Sequence, residues 1–125
     1  MSENEISKVV IGCAIEVHRG LGPGLLESVY ERTLAFELES NGLFVQRQVP
    51  VPIVYKGVNL EMGFRMDLLV ERRVPVEIKS VEAINAVFEA QTLTQLKLSN
   101  LRLALLINFN AVALRSGIRR FVNNL

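Results

Sequence analysis

Apolar and polar residues follow one another along this chain with changing periods, and each period predicts an element. Over residues 5–18, Ile6, Val9, Val10, Cys13 and Val17 recur at helical spacing, with Ser7, Lys8 and Glu16 elsewhere. That pattern predicts a first helix. It stops at Arg19-Gly20-Leu21-Gly22-Pro23-Gly24, where three glycines and a proline in six residues turn the chain. A second helix is expected over 25–40. Its ladder is Leu26, Tyr30, Leu34 and Leu38, joined by Leu25 and Val29, and Asn41-Gly42 supplies the stop.

The period then changes to two. Residues 43–49 and 51–55 read as short strands, with Pro50 and Pro52 marking an edge or a break, and Lys56-Gly57 reads as a turn. Over 64–71, Phe64, Met66, Leu68 and Val70 form one face, and Arg65, Asp67, Leu69 and Glu71 the other. Glu71-Arg72-Arg73 is a polar turn. Residues 74–79 alternate again, with Val74, Val76 and Ile78 opposite Pro75, Glu77 and Lys79. A third helix is expected over 86–98, capped by Asn85. The apolar run Leu103-Ala104-Leu105-Leu106-Ile107 predicts a strand over 102–109 buried on both faces, as in the interior of a mixed or parallel sheet. Arg115 to Asn124 is read as a short terminal helix. The order helix, helix, strands, helix, strand predicts an α/β sandwich in which the 86–98 helix crosses over between two parallel strands.

Composition narrows the class. A length of 125 residues predicts a single domain over 1–125, large enough to fold without disulfide or metal. With 50% hydrophobic residues and a net charge of +1, the chain is not globally disordered. The five-residue apolar run is far short of the roughly 20 residues that cross a bilayer, so no membrane association is expected. The start, Met1-Ser2-Glu3-Asn4-Glu5, is acidic, where a secretory signal would be basic and then apolar. A lone cysteine, Cys13, excludes an internal disulfide framework and a cysteine-rich zinc site, and its place on the apolar face makes it a buried small hydrophobe. These features together predict a cytoplasmic protein. The charge balance, 14 basic against 13 acidic, provides no general field for nucleic acid. A polyanion must therefore be met by a local patch or a metal.

Candidate chemistry gathers at Asp67, Glu77 and Lys79. Glu77 and Lys79 are two apart on a strand and share a face. If the strands pair around Glu71-Arg72-Arg73, partners have numbers summing to about 144, which sets Asp67 opposite Glu77. Adjacent carboxylates repel unless a cation lies between them, and hard oxygen donors favour Mg²⁺ or Mn²⁺. The plainer alternative is a solvated strand face, with Asp67 paired to Arg65 or Lys79. Against it stand the apolar surroundings and the later helix expected to cover this face, because charges under a helix need a partner or a task.

The segment Asp67…Val76-Glu77-Ile78-Lys79 resembles the metal-binding motif of the PD-(D/E)xK nuclease superfamily, which has the restriction-endonuclease-like fold. Gly24-Leu25-Leu26-Glu27-Ser28-Val29-Tyr30 further resembles the signature that names the GxxExxY family, a branch of small proteins within it. Glu16-Val17-His18-Arg19, Leu105-Leu106-Ile107-Asn108-Phe109 and Gly117-Ile118-Arg119-Arg120 agree with this, so the likeness runs from about residue 8 to 122. The resemblance implies an α-β-β-β-α-β core with a mixed sheet flanked by helices. It implies that Asp67 and Glu77 bind Mg²⁺ (or Mn²⁺), that the backbone carbonyl of Ile78 adds a ligand, and that Lys79 assists the attacking water. It also brings Glu27 to the metal, whereas position alone reads Glu27 as an acid at a helix start. Tyr30 is one turn from Glu27 and is left open between core and site. Some related nucleases carry a glutamine and a tyrosine one turn apart on the helix after the lysine strand. Gln91 fits the first and is a candidate for touching the phosphodiester, but Gln95 stands in the tyrosine's place.

Weaker signals complete the reading. His18 is either near the site or a helix-end histidine facing the dipole. Arg119 and Arg120 either meet phosphate or serve solubility. Gly22-Pro23-Gly24 lacks the lysine and hydroxyl residue of a P-loop, which excludes nucleoside triphosphate binding. The expected function is metal-dependent hydrolysis of nucleic-acid phosphodiester bonds. The alternative is a non-catalytic nucleic-acid-binding or protein-interaction module on the same fold. The apolar content also allows a homodimer.

Overall fold

The computed structural model describes residues 1–61 and 63–125. Three helices, α1 (Glu3–Leu21), α2 (Glu27–Ser40) and α3 (Ala86–Leu98), flank seven strands: β1 (Val45–Val51), β2 (Val54–Tyr55), β3 (Val58–Asn59), β4 (Phe64–Val70), β5 (Val74–Lys79), β6 (Leu103–Asn108) and β7 (Ile118–Val122). Five strands form one mixed sheet in the order β1-β4-β5-β6-β7, while β2 and β3 make a separate hairpin around Lys56-Gly57. Among the described residues only β5 and β6 run parallel, and α3 connects them, as a crossover helix must. This is the mixed, helix-flanked α/β sheet that the pattern of periods predicts, consistent with a restriction-endonuclease-like fold.

Local chemistry explains the boundaries. At the start of α1, Ser2 and Glu5 form a reciprocal capping box, so the helix begins before residue 5. It ends where Gly22 takes φ +73°, a left-handed value suited to glycine. Asn85 caps α3 by accepting the Phe88 N–H, and the helix spans 86–98 as expected. All six residues of β6 are buried, which fits a central strand covered on both faces. Pro50 does not break β1. It lies on the sheet's edge strand, where a missing N–H costs no ladder bond.

Three expectations are corrected. The strand expected over 51–55 does not form: β1 runs through Pro50 to Val51, the chain leaves the sheet at Pro52, and only Val54–Tyr55 pairs again, in the separate hairpin. The terminal helix is absent: residues 114–117 form one 3₁₀ turn, and β7 follows, antiparallel to β6. Ile118, Phe121 and Val122 have helix-like spacing, but the open edge of β6 recruits them as a strand. Gly117 permits the approach, since a Cβ there would lie 2.5 Å from the Asn108 carbonyl oxygen. In α2, Leu26 is the N-cap and is 74% exposed, so the buried ladder is Tyr30, Leu34 and Leu38.

The main core lies between α1, α2 and one face of the sheet. Ile6, Val10 and Val17 of α1 meet Leu34 and Leu38 of α2 over Leu68, Val76, Ile78, Leu105 and Ile107. Cys13 is buried among them. The opposite face is covered by α3 through Thr92 and Leu96, against Met66, Pro75 and Ala104. No helix among the described residues is long and apolar enough to cross a membrane.

Candidate active site at the end of the central hairpin

The site arises where β4 leaves β5. Val70 pairs with Val74 and Leu68 with Val76, the register inferred from the turn. The ladder ends there: the expected pair of Asp67 with Glu77 does not form, nor does Met66 with Ile78, although Met66 still pairs with Val49 of β1. The Asp67 side chain takes over the vacated bond: Ile78 N–H donates to Asp67 Oδ2 at 2.8 Å. A residue's N–H and C=O leave a strand on the same side, so the Ile78 carbonyl faces the gap that Asp67 has entered. Asp67 and Glu77 are both half-buried there. Burial, and then the Asp67 carboxyl beside it, push the Glu77 carboxyl up to about 9; Lys79 works against this shift and Glu27 adds to it.

Lys79 emerges two residues beyond Glu77, half-buried under α3. Its Nζ sits 4.6 Å from the centroid of the Phe88 ring, a cation–π contact that holds the ammonium between helix and strand. Further along, the β5 end is fixed by neighbours. Phe109 N–H donates to the Lys79 carbonyl at 2.9 Å. The buried Asn108 amide accepts from Val81 N–H at 3.1 Å and donates to its carbonyl at 3.0 Å.

The glycine turn and α2 dock onto the same place. Ser80 N–H donates to Glu27 Oε2 at 3.2 Å, and Ser80 Oγ–H donates to the Leu25 carbonyl at 2.6 Å. Tyr30 is fully buried, with its ring stacked on Phe109 at 4.7 Å. Its hydroxyl donates to the Gly22 carbonyl at 2.6 Å and accepts from Leu25 N–H at 3.1 Å. Tyr30 is thus a core residue whose polar tip pins the turn. Gly24 takes φ +97°, so the three positions Gly24, Glu27 and Tyr30 turn, dock and pin one segment.

A match to a family model described as the PD-(D/E)XK nuclease superfamily covers residues 4–121. The chain belongs to the PD-(D/E)XK nuclease superfamily. Searches among curated proteins and among solved structures return no match.

Asp67, Glu77 and Lys79, the residues whose spacing resembles the superfamily's motif, lie together where β4 leaves β5. The donor chemistry fits a hard divalent cation: two neighbouring carboxyls, one of them raised by burial and by the other, and a carbonyl on the same edge. Among the described residues, no three of His, Cys, Asp and Glu are gathered as a metal cluster. Glu27 reaches the edge through Ser80.

The remaining candidates separate. Gln91 is exposed on the outer flank of α3, while Gln95 lines a void of about 10 Å³ beside Glu77, with Met66, Pro75 and Thr92. His18 Nε2 lies 2.8 Å from the Ala111 carbonyl and serves the loop after β6. Arg119 pairs with Glu89 at 3.2 Å. Sequence reasoning overlooked Phe88, Ser80 and Asn108. Phe88, Thr92, Gln95 and Leu96 do follow a helical stripe, which could have marked the inner face of α3.

Proposed function

We propose that this chain is a divalent-metal-dependent phosphodiesterase that hydrolyses nucleic acid, acting as one domain over residues 1–125. The observation that carries the reading is the paired Asp67 and Glu77 carboxyls where β4 leaves β5, with Lys79 two residues on. Asp67, Glu77 and the Ile78 carbonyl would hold Mg²⁺ or Mn²⁺, with Glu27 adding its charge from α2. When bound, the cation supplies Lewis-acid polarisation of the scissile phosphate and neutralises developing negative charge.

The chain's own residues do the rest. Asp67 is oriented by the Ile78 N–H, which fixes one oxygen and leaves the other free. Glu77 gives up its proton when a cation occupies the edge. Lys79, steadied by Phe88, positions the attacking water and offers positive charge to the non-bridging phosphate oxygens in the transition state. Gln91 contacts the substrate's phosphodiester from the flank of α3. The tasks of Gly24, Glu27 and Tyr30 support assignment to the GxxExxY branch. The buried free thiol of Cys13 fits a reducing cytoplasm.

The test is a panel of linear, single-stranded and branched DNA and RNA with Mg²⁺ or Mn²⁺, on wild type and Lys79→Ala. The expected result is cleavage by wild type and a loss of about 10²-fold or more in the variant, with metal binding retained. Binding without cleavage on every substrate would favour the non-catalytic module instead.

A further inference from the structure

Lys79 has acids for neighbours and pairs with none of them. Its charge is felt at Glu77, whose shift it opposes, and Glu27 docks on the N–H of the adjoining Ser80. The ion pairs among the described residues are all made by arginine: Arg19–Glu16, Arg47–Glu31, Arg73–Glu3 and Arg119–Glu89. The Lys79 ammonium rests instead on the Phe88 ring, 4.6 Å from its centroid and within the roughly 6 Å over which a ring face attracts a cation.

The ring stands on an anchored turn. Phe88 N–H donates to Asn85 Oδ1 at 2.9 Å, the N-cap bond of α3. The Phe88 carbonyl accepts from the hydroxyl of buried Thr92 at 3.0 Å. The next residue, Glu89, pairs with Arg119 of β7 at 3.2 Å, which ties this first turn of the helix to the sheet. Phe88 itself is half-buried, as Lys79 is.

An ammonium free to move would fall onto the neighbouring carboxylates, because opposite charges a few ångströms apart attract more strongly in a half-buried place than in water. A lysine seated there would stand where a dication binds. We infer that Phe88 is a positioning residue: its π face draws the Lys79 ammonium away from Asp67 and Glu77 and keeps their edge open for a divalent cation. The inference rests on the nuclease reading above.

The experiment replaces Phe88 alone with 3,4,5-trifluorophenylalanine, which keeps the shape of the ring and removes the negative potential of its face, and measures Mg²⁺ affinity by isothermal calorimetry. The same replacement is made in Lys79→Met, which keeps the aliphatic stem and lacks the ammonium. Phe88→Leu in both backgrounds is the second variant. With Lys79 present, ring fluorination should weaken Mg²⁺ binding by about three- to tenfold, the scale of one cation–π contact. In Lys79→Met it should change nothing, since the ring acts only through the ammonium. Equal Mg²⁺ affinity with and without fluorine, Lys79 being present, overturns the inference and leaves the nuclease reading standing. A loss of the same size in both backgrounds makes the ring a packing element and also overturns the inference. No heat from wild type at millimolar Mg²⁺ overturns the inference and the nuclease reading together. Should Phe88→Leu fail to fold, the fluorinated ring, which preserves the packing, decides alone.

Discussion

On the α1–α2 side of the sheet, Leu34, Leu38, Leu68 and Leu105 are fully buried, and the Tyr30 hydroxyl that enters this layer is paired at both ends. On the α3 side, Glu77 and Lys79 are half-buried, the lysine rests on an aromatic ring, and Val87 and Leu98 face outward. The same five strands serve both sides. One side is filled with close-packed hydrocarbon and resists change, while the other keeps charge where charge is expensive. The boundary between them is the Asp67–Ile78 bond, where a side chain replaces a ladder partner and opens the sheet toward α3. The packed side can bear the cost of holding these charges.

Damage to the packed side should have the largest effect. Leu34→Ala should lower stability by about 2–5 kcal/mol, through lost transfer energy and a cavity. Denaturant melts measure this. The folded fraction should keep wild-type metal affinity, because Leu34 does not reach the carboxylates.

The charged side should respond with the opposite sign. Glu77 has its carboxyl raised from 4.5 to about 9 in the fold. Native protein therefore holds a proton that the unfolded chain releases between those values. Stability linked to this group is fully present below pH 4.5 and is lost as pH rises toward 9. Without metal, Glu77→Gln should melt higher than wild type at pH 8, on the order of 5 °C, with the gap closing toward pH 5. A gap that does not depend on pH would remove the strained-carboxyl account.

Tyr30 joins the two sides. Tyr30→Phe keeps the ring on Phe109 but leaves the Gly22 carbonyl without its donor, which should cost about 1–2 kcal/mol. Faster amide exchange at Leu25 and Ser80 should accompany it. Glu27→Gln is expected to have the smallest effect, no more than about 1 kcal/mol on the metal-free protein, while weakening Mg²⁺ binding. Calorimetry of the variant separates the two quantities, and unchanged metal affinity would return Glu27 to the role of a helix-start acid docked on Ser80.

Much of this architecture was legible in the sequence because it depends on local rules. Asn85 and the spacing of residues 86–98 define α3, and the turn at Glu71-Arg72-Arg73 fixes the register of Val70 with Val74 and Leu68 with Val76, past which Asp67 leaves the ladder but still reaches Glu77. The apolar run at 103–107 identifies the central strand. The terminal strand was not legible, since Ile118, Phe121 and Val122 suit a helix until β6 offers an edge. At the site, residue types and register pointed to the carboxylates. The clasp of Ser80 on Leu25 and Glu27 depends on how two loops dock, and the Lys79–Phe88 contact on how α3 lies across β5. No periodicity encodes either one. Gln91 and Gln95 sit one turn apart on the border between the inner stripe and the outer flank of α3, so spacing alone could not say which of them lies beside Glu77.

Asp67 and Glu77 are proposed to hold a divalent cation together at the split between β4 and β5. Isothermal calorimetry of Mg²⁺ and Mn²⁺ into wild type and Asp67→Ala, at pH 6 and pH 8, tests it most directly. Wild type should show one site, tighter at pH 8 because binding displaces the Glu77 proton, and Asp67→Ala no measurable site. Equal binding by the two proteins, or no heat from wild type at millimolar metal, would contradict it.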